Sequence, residues 1–264
     1  MPSAPPAARP PKLIVFSGAG ISAESGLQTF RGSGGLWENH DLNEVCNYQT
    51  WKANAALVHR FYNERRTQLR SVEPNSAHTR IAQWQLAGHA DVITANVDDL
   101  LERAGCGDVL HVHGRLTGML CTACGNRWDV GYAPWDPATD RCTRERCASR
   151  KGVKPDVVFF GEIAPAYADM YRAFGSLRPG DAVLAIGTSL AVVRVHEMLR
   201  EAAPGVTAIL NVLNLEDIQA DAVSVGRAFR HILVSPASEA VKRVEEILPW
   251  LQTGAAVDFQ RTGT

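Results

Sequence analysis

Leu13-Ile14-Val15-Phe16-Ser17-Gly18-Ala19-Gly20-Ile21-Ser22-Ala23 is the stretch on which the fold turns. A continuous apolar run of strand length ends in a glycine pair and passes into small residues. Such a run suits a strand buried on both faces, as in a parallel sheet. Gly18 to Ala23 fits G-x-G-x-x-G/A loosely. Glycines there let the backbone turn sharply and approach a pyrophosphate seated on exposed N–H groups. A plain strand-to-helix turn would use the same residues. The acidic residue that usually follows about 20 residues on, at a second strand end, is missing. Asp41 and Glu44 lie near that spacing, but no strand precedes them. The motif is not the ordinary dehydrogenase fingerprint.

Further apolar runs follow at Asp91 to Thr94, Val109 to Val112, Val157 to Phe160, Val183 to Ile186 and Ala208 to Leu210. Helical spacing lies between them. Trp51 to Leu69 places Ala55, Val58, Phe61, Tyr62, Arg65 and Leu69 near one face, and Ser76 to Leu86, Ala166 to Leu177 and Ser238 to Leu248 are further helices. Strands alternating with helices predict an α/β fold with a doubly wound parallel sheet. A chain of 264 residues holds one large domain, or one domain with a small insertion.

Apolar residues at 45% and charged residues at 21% exclude a mostly disordered chain and a coiled coil. Lys plus Arg total 27 against 28 Asp plus Glu, so no global basic field points to direct nucleic-acid binding. The start, MPSAPPAARPP, has no apolar core and reads as a mobile extended tail over residues 1–11 rather than a secretory signal. Residues 252–264 read as a second loose tail. No apolar run reaches the roughly 18 residues of a membrane span, and a cytoplasmic location is expected.

Four of the six cysteines fall within 27 residues, as Cys121-x2-Cys124 and Cys142-x4-Cys147. Two thiolate pairs separated by a loop can close a tetrahedral Zn²⁺ site. Four sulfur ligands leave no open position, so the expected zinc is structural. The segment around them is poor in large aliphatics and could not bury a core alone. Cys46 and Cys106 read as small core residues.

His113 follows a strand, where ligands bind in open α/β sheets, and its ordinary pKa suits general-base work. A hydrogen-bonded core histidine is the competing reading. Asn96 and Asp98 also follow a strand, where they could cap the next helix or face a ligand.

Taken together, GAGISAESGLQTFR (18–31), Asn96-Val97-Asp98, His113-Gly114, the cysteine quartet, PDVVFFGE (155–162), Gly187-Thr188-Ser189 and Asn214-Leu215-Glu216 resemble the sirtuins, NAD-dependent protein lysine deacylases. The resemblance runs from about Lys12 to Leu251. It implies a catalytic domain over residues 12–251 with a Rossmann-type sheet and a zinc-binding module inserted at residues 117–152. The cofactors implied are NAD as co-substrate and one structural Zn²⁺ on Cys121, Cys124, Cys142 and Cys147. NAD would be bound by Gly18, Ala19, Gly20, Ile21, Thr29, Phe30, Arg31, Trp37, Asn96, Val97, Asp98, Gly187, Thr188, Ser189, Asn214, Leu215, Glu216 and Ala237. His113 would be the base, with Asn96 and Asp98 as its catalytic companions, and the reaction would free the lysine and yield nicotinamide and O-acyl-ADP-ribose. The partner would be an acyl-lysine protein or peptide, its backbone added as a strand between Val157, Val158, Phe159, Phe160, Gly161 and Glu162 and a neighbouring loop.

Tyr62 and Arg65, three apart on one helix face, would clamp a carboxylate-ended acyl group, with Ala23 widening the pocket. This is similar to the branch that removes succinyl and malonyl groups, with acetyl a weaker substrate. A solvated face, with Arg65 paired to Glu64 or Glu73, is the bland alternative. Two positions depart from the family pattern: Ala95 replaces the usual Gln and Leu101 the branch's usual His. Ala95 keeps open an ADP-ribosyltransferase or NAD hydrolase. A non-catalytic NAD or acyl-lysine sensor is a third reading, against which the intact His113 speaks.

Overall fold

The structure is a computed structural model, which describes residues 9–28 and 42–252. The chain opens with β1 (Leu13–Ser17) and a 3₁₀ turn over Ala19–Ser25. It continues through α1 (Leu42–Val45), α2 (Ala55–Arg70), α3 (Ser76–Leu86), β2 (Ala90–Thr94), α4 (Leu100–Arg103) and β3 (Val109–His111). A second group follows: β4 (Gly114–Cys121), β5 (Arg127–Asp129) and β6 (Val153–Val157). The chain closes with α5 (Tyr167–Gly175), β7 (Ala182–Ile186), α6 (Val195–Arg200), β8 (Thr207–Val212), α7 (Ala222–Ala228), β9 (His231–Val234) and α8 (Ala237–Ile247).

Six strands form a parallel sheet in the order β3-β2-β1-β7-β8-β9. Every residue of β1 and β7 is buried, which explains their unbroken apolar runs. Strand alternation divides them between two cores. Leu13, Val15, Leu184 and Ile186 face Ile81 and Trp84 of α3 and Val241 and Val244 of α8. Ile14, Phe16, Val183 and Ala185 face Met170 and Phe174 of α5 together with Val195 and Val225. Each Val, Leu, Ile, Phe or Met side chain among them contributes roughly 1.5–3 kcal/mol when fully buried. From β1 the chain winds toward β2 and β3, and from β7 toward β8 and β9. The switch point therefore lies between β1 and β7, where open α/β sheets bind ligands beyond the strands' carboxyl ends.

The second sheet, β5-β4-β6, is antiparallel and three-stranded. It spans Gly114–Val157, slightly wider than residues 117–152. Here the expected strand Val157 to Phe160 is corrected. The strand is Val153–Val157, paired with β4 rather than within the parallel sheet. Beyond it only Phe160 makes an isolated bridge, to Asn47. The apolar run exists because Val157 and Phe159 pack against Phe61 and Tyr62 of α2, so its burial is against a helix.

On α2 the buried basic residue is Arg66, fully enclosed, rather than Arg65. Its guanidinium donates to the Leu116 carbonyl at 2.9 Å and to Asn63 Oδ1 at 2.8 Å, tying α2 to β4. Within the expected N-terminal tail, Arg9 grips Asp181 with both terminal nitrogens, at 2.9 and 2.6 Å. Among the described residues no helix is long and apolar enough to cross a membrane.

Candidate active site

At the switch point the turns after β1 and β7 are pressed together. The Gly20 N–H donates to the Gly187 carbonyl at 2.8 Å, and the Gly18 N–H to that of Ile186 at 3.0 Å. A Cβ on Gly18 would lie 2.8 Å from the Gly187 oxygen, and one on Gly20 2.8 Å from the Gly187 Cα. Gly187 itself has φ 63°, the left-handed region that favours glycine. The result is a side-chain-free cradle of backbone at the head of the sheet, which fits a pyrophosphate. The element after it is one seven-residue 3₁₀ turn holding Ala19 and Ala23, not the α-helix that G-x-G-x-x-G normally opens. Thr29, Phe30, Arg31 and Trp37 lie outside the described residues.

Ile21 and Ser22 are buried at the floor of this turn. The Ser22 hydroxyl donates to Asp98 Oδ2 at 3.0 Å and accepts from Asn96 Nδ2 at 3.3 Å. Burial pushes the Asp98 carboxyl up to about 6, against the Leu100 N–H and the Ser22 hydroxyl, which lower it. Two residues that sequence reasoning passed over complete the network. Asn75 caps α3, and its side-chain amide donates to the Ile21 carbonyl at 2.7 Å. His78 Nδ1 accepts the Asn75 N–H at 3.2 Å, so Nε2 carries the proton and faces Ser22 Oγ at 3.4 Å. Val97 packs at the edge of the cluster formed by α2, Leu116 and Phe159.

His113 stands one residue past Val112, directly before β4. Its Nδ1 faces the Ala95 carbonyl at 3.1 Å and its Nε2 faces the Tyr167 hydroxyl at 2.9 Å. A carbonyl only accepts, so Nδ1 is the protonated nitrogen and Nε2 carries the lone pair. Burial lowers the ring's pKa below 6.5, leaving it a neutral acceptor near pH 7. His111 turns the same way, with Nδ1 donating to the Asn96 carbonyl at 2.9 Å and Nε2 2.7 Å from Glu102. Leu101, at the second departure, is buried in the core beside α3.

Across the switch point, Thr188 and Ser189 follow Gly187 in a partly buried loop, with the Ser189 carbonyl accepting the Gln219 N–H at 2.9 Å. Asn214, Leu215 and Glu216 form an exposed 3₁₀ turn beyond β8, and the Asn214 side chain is turned onto Asp217. Ala237 is buried at the start of α8, where Glu24 of the glycine turn accepts from the Ser238 N–H at 3.0 Å.

Tyr62 and Arg65 lie on α2, with Tyr62 buried in the cluster that this helix forms with Leu116 and Phe159. The Tyr62 ring stacks on Phe159 at 5.8 Å, and among the described residues its hydroxyl meets only the Cys46 sulfur, at 3.5 Å. Arg65 lies over the Phe61 ring at 3.9 Å and pairs with Glu64 at 3.1 Å, while its Nε is buried without a partner. Glu73 is taken by Arg103. Ala23 is exposed on the turn that follows β1.

The segment Val157 to Glu162 is stapled from beneath. Lys154 Nζ, almost wholly enclosed, reaches Glu162 at 3.0 Å, the Val157 carbonyl at 2.6 Å and the Phe159 ring at 4.2 Å. Phe160 already pairs both backbone groups with Cys46 and Tyr48. The loop on that side is thus bonded to the segment, and on the other edge the Phe159 N–H donates to Glu162 Oε2 at 2.9 Å while the Phe159 carbonyl accepts the Glu162 N–H at 3.0 Å. Glu162→Gln should leave the Lys154 charge buried and unpaired, costing about 3–5 kcal/mol. Urea unfolding with a midpoint equal to wild type would count against the staple.

The four sulfurs of Cys121, Cys124, Cys142 and Cys147 all lie within 4.8 Å of one another, with Cys121–Cys147 at 3.7 Å and Cys124–Cys142 at 3.6 Å. A tetrahedral zinc with Zn–S bonds near 2.3 Å requires sulfur separations of about 3.8 Å. The quartet fits the ion. The Asn126 N–H holds the Cys124 thiol down at about 7, whereas burial raises the Cys121 and Cys142 thiols. Met119, Trp135 and Val153 supply a small core around it.

The sequence model of the Sir2 family matches residues 18–194. An NAD-dependent protein deacylase of Helicobacter hepaticus is 43% identical over 256 residues, covering 90% of this chain and 97% of the relative. One from Campylobacter jejuni is 38% identical over 236 residues, covering 88% and 93%. A crystal structure of a Sir2 homologue–NAD complex superposes with a TM-score of 0.76 at 30% identity, covering 91% of this chain and 90% of that one.

Proposed function

This chain belongs to the Sir2 family, and on that premise we propose that it is an NAD-dependent protein-lysine deacylase that prefers succinyl- and malonyl-lysine, with acetyl-lysine a weaker substrate. The activity rests above all on His113, a neutral imidazole beyond the carboxyl end of β3, its Nδ1 fixed by the Ala95 carbonyl and its Nε2 lone pair facing the Tyr167 hydroxyl.

NAD, when bound, would supply the ribose carbon that the acyl oxygen attacks as nicotinamide leaves, and the ribose hydroxyl on which the acyl group ends. The glycine cradle of Gly18, Gly20 and Gly187 admits its pyrophosphate, and Asp98 with Ile21 forms the wall that recognises the carboxamide. Asn96, held by Ser22, orients the ribose hydroxyls. His113 Nε2 takes the hydroxyl proton, while the Ala95 carbonyl stabilises the imidazolium through Nδ1. Positioning and fixed charge carry this chemistry. The zinc stays in its closed four-sulfur site, where it holds the module folded.

The acyl preference rests on Arg65. Its Nε is buried without a partner, and the nearby Tyr62 hydroxyl has only a weak sulfur acceptor. A carboxylate at the end of the acyl chain satisfies both donors by charge-assisted bonds, whereas acetyl satisfies neither. Arg65→Met should cut desuccinylation by the roughly 2–5 kcal/mol lost when one partner of a buried pair is removed, with deacetylation changed far less. Equal losses on both peptides would show that Arg65, with Glu64, serves the fold alone. The reading as a whole is tested by incubating the protein with NAD and succinyl-, malonyl- or acetyl-peptide. Peptide mass, O-acyl-ADP-ribose and free ADP-ribose are followed together. Free ADP-ribose with unchanged peptide would mean an NAD hydrolase.

A further inference from the structure

The Tyr167 hydroxyl lies where a substrate hydroxyl has to go. Tyr167 is the first residue of α5, and its ring centroid is 5.8 Å from that of His113. Nδ1 is committed to the Ala95 carbonyl, so Nε2 is the ring's one basic atom. A neutral imidazole nitrogen has a single in-plane lone pair, and the phenol O–H covers it at 2.9 Å. Two donors cannot share it in good geometry. We propose that Tyr167 is a built-in placeholder for the ribose hydroxyl: it occupies the acceptor atom of His113 until NAD displaces it, and so weakens NAD binding while keeping the base in its productive tautomer.

This inference rests on His113 being the base of the deacylase reading. Burial raises the Tyr167 pKa, so the phenol stays a donor across the working range. Tyr171 stands behind it at 6.1 Å, ring to ring. No charged group contributes to the His113 shift, which burial lowers and the Ala95 carbonyl raises. The phenol is therefore the polar group able to tune Nε2. Its bond favours the neutral ring, and its removal makes the ring more basic.

Tyr167→Phe deletes one oxygen and keeps the ring. Calorimetric titration of the full chain with NAD should give binding about fivefold tighter than wild type, the equivalent of one neutral hydrogen bond. In the protein without ligand, His113 followed by ¹H–¹⁵N correlation of its ring nitrogens should titrate at higher pH than in wild type. In turnover the gain should appear in KM for NAD, with kcat moving far less, and the acid limb of kcat/KM should shift upward. Tyr167→Met, which also removes the ring, should move both ligand-free and binding readouts the same way. NAD binding that is unchanged or weaker in Tyr167→Phe, or an unmoved His113 titration, would overturn the proposal. Failure of the deacylase reading shows separately, as wild-type protein that releases no nicotinamide with acyl-peptide present.

Discussion

His113→Ala is expected to slow deacylation roughly 10²–10⁴-fold, the loss that follows removal of a general base, while NAD still binds. The size of the effect comes from geometry that no neighbour can replace. Asn96 can only orient, and Asp98 is engaged by Ser22 and the Leu100 N–H. The phenol of Tyr167 is a donor and cannot accept the proton near neutral pH. Nicotinamide release and peptide mass measured together give the rate, and calorimetry gives the binding. A variant of full activity would remove His113 from the mechanism. The pH dependence has a definite sign. The ring must be neutral to accept a proton, so activity is lost as pH falls through its pKa, which burial places below 6.5. Asp98, at about 6, loses its charge over a similar interval. Activity should therefore hold at pH 7 and fall away below pH 6.5.

Cys142→Ala should have an effect of comparable size by a different route. A structural zinc site of this kind contributes on the order of 10–16 kcal/mol of apparent binding energy that is also folding energy. Three sulfurs retain the ion poorly, and the small core of Met119, Trp135 and Val153 cannot hold the module by itself. Zinc content should fall below one ion per chain. Trp128 and Trp135, whose rings lie 5.6 Å apart in the module, should report the loss in their fluorescence. Deacylation should fall with the metal although the metal does no chemistry. Gly114, at the root of β4, follows His113 directly and pairs with Val157 at the root of β6, and the Val158 N–H donates to the His113 carbonyl at 2.9 Å. Freshly purified protein without zinc but with full activity would rule this out.

The parts that could be read in the sequence are those set by local pattern. Apolar runs marked the parallel strands β1, β2, β3, β7 and β8, unbroken in β1 and β7 because burial on both faces leaves no polar alternation, and interrupted by Asp91 in β2 and His111 in edge strand β3. The cysteine quartet was legible because few other arrangements of four thiols at that spacing are useful. Val157 to Phe160 misled because apolar residues look the same whether they pack on a helix or within a sheet. β4 went unseen for the opposite reason, since Gly114, Arg115, Thr117 and Gly118 interrupt its apolar residues. Asn75 and His78 were hidden because their roles exist only across space: Ser22 lies 56 residues from His78. A Pro-Asn-Ser start to a helix with His at the third helical position was the available signal, and nothing in it points across the fold to Ser22. Tyr167 carried no signal at all until α5 was seen to bring it onto His113.

The pressed glycine turns also constrain how this chain can change. At positions 18, 20 and 187 the missing side chain of one residue is space used by the backbone of the other turn. A Cβ at 187 would fall 2.2 Å from the Ile21 nitrogen. Neither turn can relieve the other by a substitution of its own, since what must move is main chain anchored at both ends by β1 and β7. Sequence drift is thus blocked at these three sites jointly rather than one at a time. Double exchanges there should be no better tolerated than single ones, and selection from a randomised library should return glycine at all three.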